Sequence, residues 1–184
     1  MANKFSLVSL GCPKNLVDSD NLTEKLTNSG LSYIDNHENA DILLINTCGF
    51  IQDAKKESIE EILKLVNLKK VSRGQSLKGL KKLIVFGCLA KRYKNDLIKE
   101  IPDIDAIFGV GEDERIVEYC KSLPIHPVRD SSLNGVHPFI HSPIHPFASY
   151  AYLKIAEGCS RKCAYCVIPS IRGEYKSITP DEIL

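Results

Sequence analysis

The chain has 184 residues, a net charge of +1 and seven cysteines. That length supports one good core of roughly 100–150 residues and leaves little for a second domain. A near-neutral charge provides no overall basic field to draw in nucleic acid, and a hydrophobic fraction of 43% excludes a disordered chain.

The N-terminal "MANKFSLVSLGCPKN" has one early lysine, but its apolar run breaks at Gly11, Pro13 and Lys14, too soon for a signal-peptide core. No window approaches a membrane span. A cytoplasmic location without membrane association is therefore expected. Thiols stay reduced there, and grouped cysteines usually mean metal or catalysis.

In chain order, "FSLVSL" (5–10), "ILLIN" (42–46) and "LIVF" (83–86) are short apolar runs ended by glycine or polar turn residues, and they read as buried strands. Each is followed by a helical pattern. These run from Leu16 to Asn28 closing at Gly30, from Gln52 to Leu68, and from Arg92 to Glu100 before Pro102. "DAIFGV" and "ERIVEYCKSL" add one more strand and helix. Alternation of this kind predicts an α/β fold, a doubly wound parallel sheet.

Cys12, Cys48 and Cys88 follow the first three strands in "SLGCPK", "INTCGF" and "VFGCLA". The carboxyl ends of parallel strands share one edge, where ligands collect, so three distant thiols are expected to converge. Gly11, Gly49 and Gly87 would let the backbone approach a bulky inorganic ligand, and nearby helix N-termini would favour thiolate. The competing reading is that these are small buried hydrophobes, as free cysteines often are. Cys120, beside Tyr119 in a helix and without a partner motif, reads as packing.

From Pro124 the character changes. "PIHPVRDSSLNGVHPFIHSPIHPF" has no periodicity and reads as a linker over 124–148. Its His126, His137, His141 and His145, alternating with prolines, are read as solvated spacers, with metal ligation as the other possibility. "YAYLKIAEG" then reads as a new strand delivering Cys159, Cys163 and Cys166.

Structural zinc takes four protein ligands, and this group offers three; a fourth would have to come from the linker histidines or Cys120. A cubane iron-sulfur cluster anchored by three thiolates keeps one iron open for a substrate or cofactor. The C-x3-C-x2-C spacing, with Tyr165 just before the last cysteine, resembles the radical S-adenosylmethionine superfamily. In that superfamily the open iron chelates S-adenosylmethionine, whose reductive cleavage yields a radical that abstracts a substrate hydrogen.

Together with "SLGCPKNLVDSD", "INTCGFIQDAKKESIEEI", "FGCLAKRY" and "IPDIDAIFGVGE", the motif makes the whole chain similar to the methylthiotransferases of that superfamily. The resemblance implies two 4Fe-4S clusters, an auxiliary one on Cys12, Cys48 and Cys88 and a radical-generating one on Cys159, Cys163 and Cys166. It also implies S-adenosyl-L-methionine as cofactor, with Tyr165, Arg172 and Gly173 at its site and Ser170 helping to shape the cavity. Pro13-Lys14 and "AYLKIAEGC" resemble the branch that modifies the β-carbon of an aspartate in small-subunit ribosomal protein twelve. The sister branch, which modifies tRNA adenosine, is the alternative. A flavodoxin or ferredoxin would be the electron donor. A reading of another class, a zinc or redox-sensing binding module, needs the fourth ligand and finds no basic or aromatic patch for RNA.

Family members continue through a (β/α) barrel of roughly 200 residues and a further small domain. Here 149–184 holds only the beginning of such a barrel, and "SITPDEIL" announces a helix with Thr179 as N-cap and Pro180 at its first position. The sheet domain, 1–123, is expected to fold. The segment after Ser149 is expected to be unanchored, Arg172 and Gly173 to have little to lean on, and full turnover not to occur in this chain alone.

Overall fold

Three parallel strands, β1 (Lys4–Ser9), β3 (Ile42–Thr47) and β4 (Lys82–Gly87), form the centre of a five-stranded sheet. Short strands β2 (Ser32–Tyr33) and β5 (Ala106–Ile107) complete the order β2-β1-β3-β4-β5, every neighbouring pair parallel. The computed structural model describes residues 3–74, 81–124 and 152–183. All six residues of β3 are buried, which is why "ILLINT" is a near-continuous apolar run without alternation.

Helices cover both faces. α1 (Pro13–Asn28) and α5 (Asp113–Ser122) pack Leu22, Leu26, Ile116 and Cys120 against Phe5, Leu7, Leu44 and Ile84. α2 (Gln52–Gly74), α3 (Cys88–Arg92) and α4 (Lys94–Glu100) pack Ile62, Leu65, Val66, Leu89 and Leu97 against Leu43, Ile45, Leu83 and Val85. The odd and even residues of β3 and β4 thus feed two separate cores, each fully buried aliphatic side chain contributing about 1.5–3 kcal/mol. The doubly wound expectation is met.

This topology positions the site. The chain leaves β1 for α1 on one face and β3 for α2 on the other, so the connections diverge between these neighbouring strands. Such a switch point opens a crevice beyond the strands' carboxyl ends.

Element bounds differ modestly from expectation. α1 begins at Pro13, whose fixed φ and missing N–H suit the first helical position, and α2 continues to Gly74. The predicted helix from Arg92 is two short helices meeting at Tyr93. From 125 onward the linker, with its four histidines, lies outside the described residues.

Beyond it, the strand read from "YAYLKIAEG" is reduced to β6 (Ala156–Glu157), antiparallel to β7 (Lys176–Ser177). A barrel strand needs parallel neighbours, and among the described residues β7 is the one β6 pairs with. α6 (Ile168–Arg172) and α7 (Pro180–Ile183) complete the chain, Pro180 standing at the first helical position as expected. The expectation of an unanchored segment is corrected: Ile171 is 5% exposed, and Arg172 and Lys154 reach α1 through ion pairs. Charge pairing and one buried isoleucine supply the hold that the missing strand neighbours do not.

Candidate functional site

The adjacency of β1, β3 and β4 places the three N-terminal cysteines side by side. Cys12 stands at the N-cap position of α1 without a side-chain capping bond, Cys48 follows β3 directly, and Cys88 opens α3. Cys12 is exposed, while Cys48 and Cys88 are each 7% exposed. All seven cysteines are free thiols.

Cys48 is held by α2: the Ser58 hydroxyl accepts from its N–H and donates to its C=O, both at 3.0 Å. Thr47 Oγ1 donates to Phe86 C=O at 2.6 Å and accepts from Ala90 N–H at 3.4 Å, tying the Cys48 loop to the Cys88 turn. The glycines serve this packing as well as any ligand. A Cβ on Gly11 would stand 2.6 Å from Cys48 Cβ, and one on Gly87 would overlap Asn46 Oδ1. Both have φ near +95 to +99°, where other residues are strained. The space a side chain would need there is taken by protein, so packing alone requires glycine at both positions.

A cavity of about 950 Å³ opens over this edge, lined by Cys12, Cys48 and Cys88 from the sheet domain and by Cys159, Ile171 and Arg172 from the C-terminal segment. Phe50, Ile51, Ala54 and Ile168 make much of its wall apolar. Phe50 and Ile51 are more than half exposed and form an apolar rim at its mouth. Cys163 is exposed and Cys166 half-buried, and neither lines the cavity. The Cys166 N–H donates to Cys163 C=O at 3.1 Å, so the two are joined by a tight turn. Tyr165 is 90% exposed. Gly173 C=O accepts from the Cys159 N–H at 3.0 Å, which fixes the first cysteine of this group against the end of α6.

Arg172 dominates the electrostatics. Its side chain is 6% exposed, and Nη1 donates to Asp18 Oδ2 at 3.1 Å and Glu157 Oε2 at 2.9 Å, while Nη2 donates to Asn15 Oδ1 at 2.6 Å. Burial pushes the Cys88 thiol up, and the Arg172 guanidinium offsets only part of that. Burial would raise the Glu157 carboxyl, but the Lys154 ammonium, the Gly158 N–H and Arg172 pull it down to about 2.

Sequence reasoning missed Asn15, Asp18 and Ser58. A signal was present: Asn15, Ser19 and Thr23 are buried at helical spacing on α1, a polar stripe where a core-facing helix should be apolar. Asn46 answers it from β3, donating to Asn15 C=O at 2.8 Å and Ser19 Oγ at 2.9 Å. Cys120 is fully buried in the α1 and α5 core, the packing role expected of it.

Among the described residues no group of three or more His, Cys, Asp or Glu side chains is arranged to hold a metal ion. A cubane distributes its anchors over separate irons, so its sulfurs stand further apart than the ligands of one ion do. Soft thiol donors on three adjacent loops, beside an apolar cavity of this size, fit such a cluster. Among the described residues no helix is long and apolar enough to cross a membrane.

The sequence model of the family described as Uncharacterized protein family UPF0004 matches residues 4–109. Among curated proteins, the chain is 47% identical over 180 residues to "Ribosomal protein uS12 methylthiotransferase RimO" of Thermodesulfovibrio yellowstonii, an alignment covering 98% of this chain and 39% of that protein. The protein of the same name from Solibacter usitatus is 41% identical over 95% of this chain and 36% of its own length. That of Clostridioides difficile is 44% identical over 98% and 40%. The chain spans about 39% of the length of the first of these relatives.

Proposed function

The chain belongs to Uncharacterized protein family UPF0004, and from that premise we propose that it serves the methylthiolation of an aspartate β-carbon in ribosomal protein uS12. The names of its relatives support the substrate, and they favour it over tRNA. The observation that carries the chemistry is the meeting of Cys12, Cys48, Cys88 and Cys159 on one largely apolar cavity.

In this reading Cys12, Cys48 and Cys88 would hold one 4Fe-4S cluster and Cys159, Cys163 and Cys166 another, with S-adenosyl-L-methionine near Tyr165, Arg172 and Gly173. When bound, these groups supply the sulfur, the methyl group and the radical that an unactivated C–H bond requires, because it offers no acidic proton to a side-chain base. The division into a sheet domain (1–123), a linker (124–148) and the start of a radical domain (149–184), a cytoplasmic setting, and a flavodoxin or ferredoxin as reductant belong to the same reading.

The chain's own residues do the holding. Ser58 and Thr47 fix the Cys48 loop, the Gly173 carbonyl fixes Cys159, and Phe50, Ile51 and Ile168 line the cavity with apolar surface. Such a wall offers a bound group a less polar surrounding than bulk water.

Anaerobic reconstitution with iron and sulfide should load both triads. Cys12→Ala should then remove one cluster and Cys163→Ala the other, and cluster content unchanged in both variants overturns the ligand assignment. Mass spectrometry of a deletion strain should show uS12 without its methylthio group and tRNA unaltered; the reverse pattern assigns the chain to tRNA.

A further inference from the structure

Asn15 is 1% exposed, and both ends of its amide are engaged. Nδ2 donates to Leu10 C=O at 2.9 Å and Thr47 C=O at 3.2 Å, the carbonyls just ahead of the Cys12 and Cys48 loops. Oδ1 accepts from the Cys88 thiol at 3.6 Å and from Arg172 Nη2 at 2.6 Å. One side chain therefore touches all three cysteine-bearing loops of the sheet domain. Its remaining bond goes to an arginine on α6, and the next residue's carbonyl holds the Cys159 N–H.

We infer that Asn15 and Arg172, braced by Asp18, form a positioning device that fixes the sheet domain's cysteine triad relative to the C-terminal one. Both Nη atoms meet protein acceptors, so whatever Arg172 adds at the cofactor site, its guanidinium docks segments 157 positions apart in sequence.

Magnitudes favour this pair over the exposed Lys14 contact, while Lys154 shares Asp18 with it. Lys14 also reaches Glu157, at 3.4 Å, but its side chain is 46% exposed, and such a pair is worth about 0–1 kcal/mol. Arg172 and Asp18 are 6% and 16% exposed, and although Lys154 also reaches Asp18 at 2.6 Å, removing the guanidinium leaves the buried Asn15 Oδ1 without its charged donor and Asp18 with one cation of two. Arginine is also the residue the geometry requires. A planar fork meets Asn15, Asp18 and Glu157 together, which a lysine's single ammonium cannot match.

The inference goes beyond the proposed function and rests on it only for what the two triads do. Its test is therefore made on the reduced, cluster-free chain with dibromobimane, a short reagent that bridges two thiols. Bridged peptides are identified by mass spectrometry, and the fold is checked by circular dichroism. Wild type should give products joining Cys159 to Cys12, Cys48 or Cys88, as well as products within the sheet triad. In Arg172→Met the ratio of cross-triad to sheet-triad products should fall about tenfold, the worth of one charge-assisted hydrogen bond, and Arg172→Lys should restore part of it.

A general loss of packing would lower both kinds of product and leave their ratio unchanged. If Arg172→Met does not fold, Asp18→Asn carries the same expectation in direction. An unchanged ratio in the folded variant, no cross-triad product in wild type, or failure of all three variants to fold overturns the inference, the last because the contact would then be a requirement of the sheet itself. Absence of iron-sulfur clusters on reconstitution would sink the proposed function and leave this ratio unaffected.

Discussion

The Ser58 hydroxyl stands 3.0 Å from both the amide nitrogen and the carbonyl oxygen of Cys48, so a helix side chain closes the loop that presents this thiol. Ser58 itself is fully buried. Its replacement by alanine leaves two buried backbone groups without that partner, at a cost of about 1–3 kcal/mol. Ser58→Ala should therefore lower the denaturant midpoint without changing the slope, and should speed alkylation of Cys48 relative to Cys88. A Cys48 rate equal to wild type would show that the loop is held by other contacts.

Asp105 anchors the far end of the sheet. Burial would raise its carboxyl, but hydrogen bonds from Lys69, the Leu83 N–H and Lys82 outweigh that and hold it below the usual carboxylate range. Lys69 is 1% exposed and also donates to Asp103 C=O at 2.7 Å. Because the folded pKa is depressed, the stabilisation is present above the ordinary carboxylate pKa of about 4 and is lost as pH falls through the folded value. Lys69→Met should destabilise by about 3 kcal/mol at pH 7. The gap to wild type, read from urea melts, should narrow below about pH 4; a gap that stays constant down to pH 2 would assign the loss to packing instead.

Much of this was legible in the sequence because apolar runs and helical periodicity are local. "ILLIN" and "LIVF" read as buried strands, and the alternation of strand and helix brought Cys12, Cys48 and Cys88 to one edge. What stayed illegible was set by partners distant in sequence. Arg172 looked unsupported because its acceptors, Asn15 and Asp18, lie on α1, and spacing says nothing of contacts across a linker. The short β6 was overread for a related reason. "YAYLKIAEG" has strand composition, but a strand of that length needs neighbours, and β7 offers two residues.

Gly87 ends β4 with φ +99°, and a Cβ there would overlap Asn46 Oδ1 and stand 2.7 Å from Thr47 C=O. Neither neighbour can yield easily, since Asn46 is tied to α1 and Thr47 carries the Cys48 loop. Gly87→Ala should cost at least about 2 kcal/mol, combining backbone strain with displacement of buried groups. Thermal melts would show it. Hydrogen exchange should place the loosening at the Cys48 and Cys88 loops and leave α5 protected.

Cys120 is the control for thiol chemistry. It is fully exposed to none of the solvent that Cys12 meets, and burial alone pushes its thiol up to about 12. Reactivity needs both thiolate and access, and Cys120 lacks both. In the folded, reduced chain at pH 8, Cys12 and Cys163 should be alkylated first and Cys120 last, its modification tracking global unfolding across a urea series. Cys120→Ala should lower stability by about 1 kcal/mol, the loss of one small buried group, and leave the labelling order of the other six thiols unchanged. Rapid labelling of Cys120 in native buffer would mean that α5 opens against α1 without unfolding the sheet, and the Asp113 and Glu114 contacts to Lys25 that close this helix pair would be the place to look for the hinge.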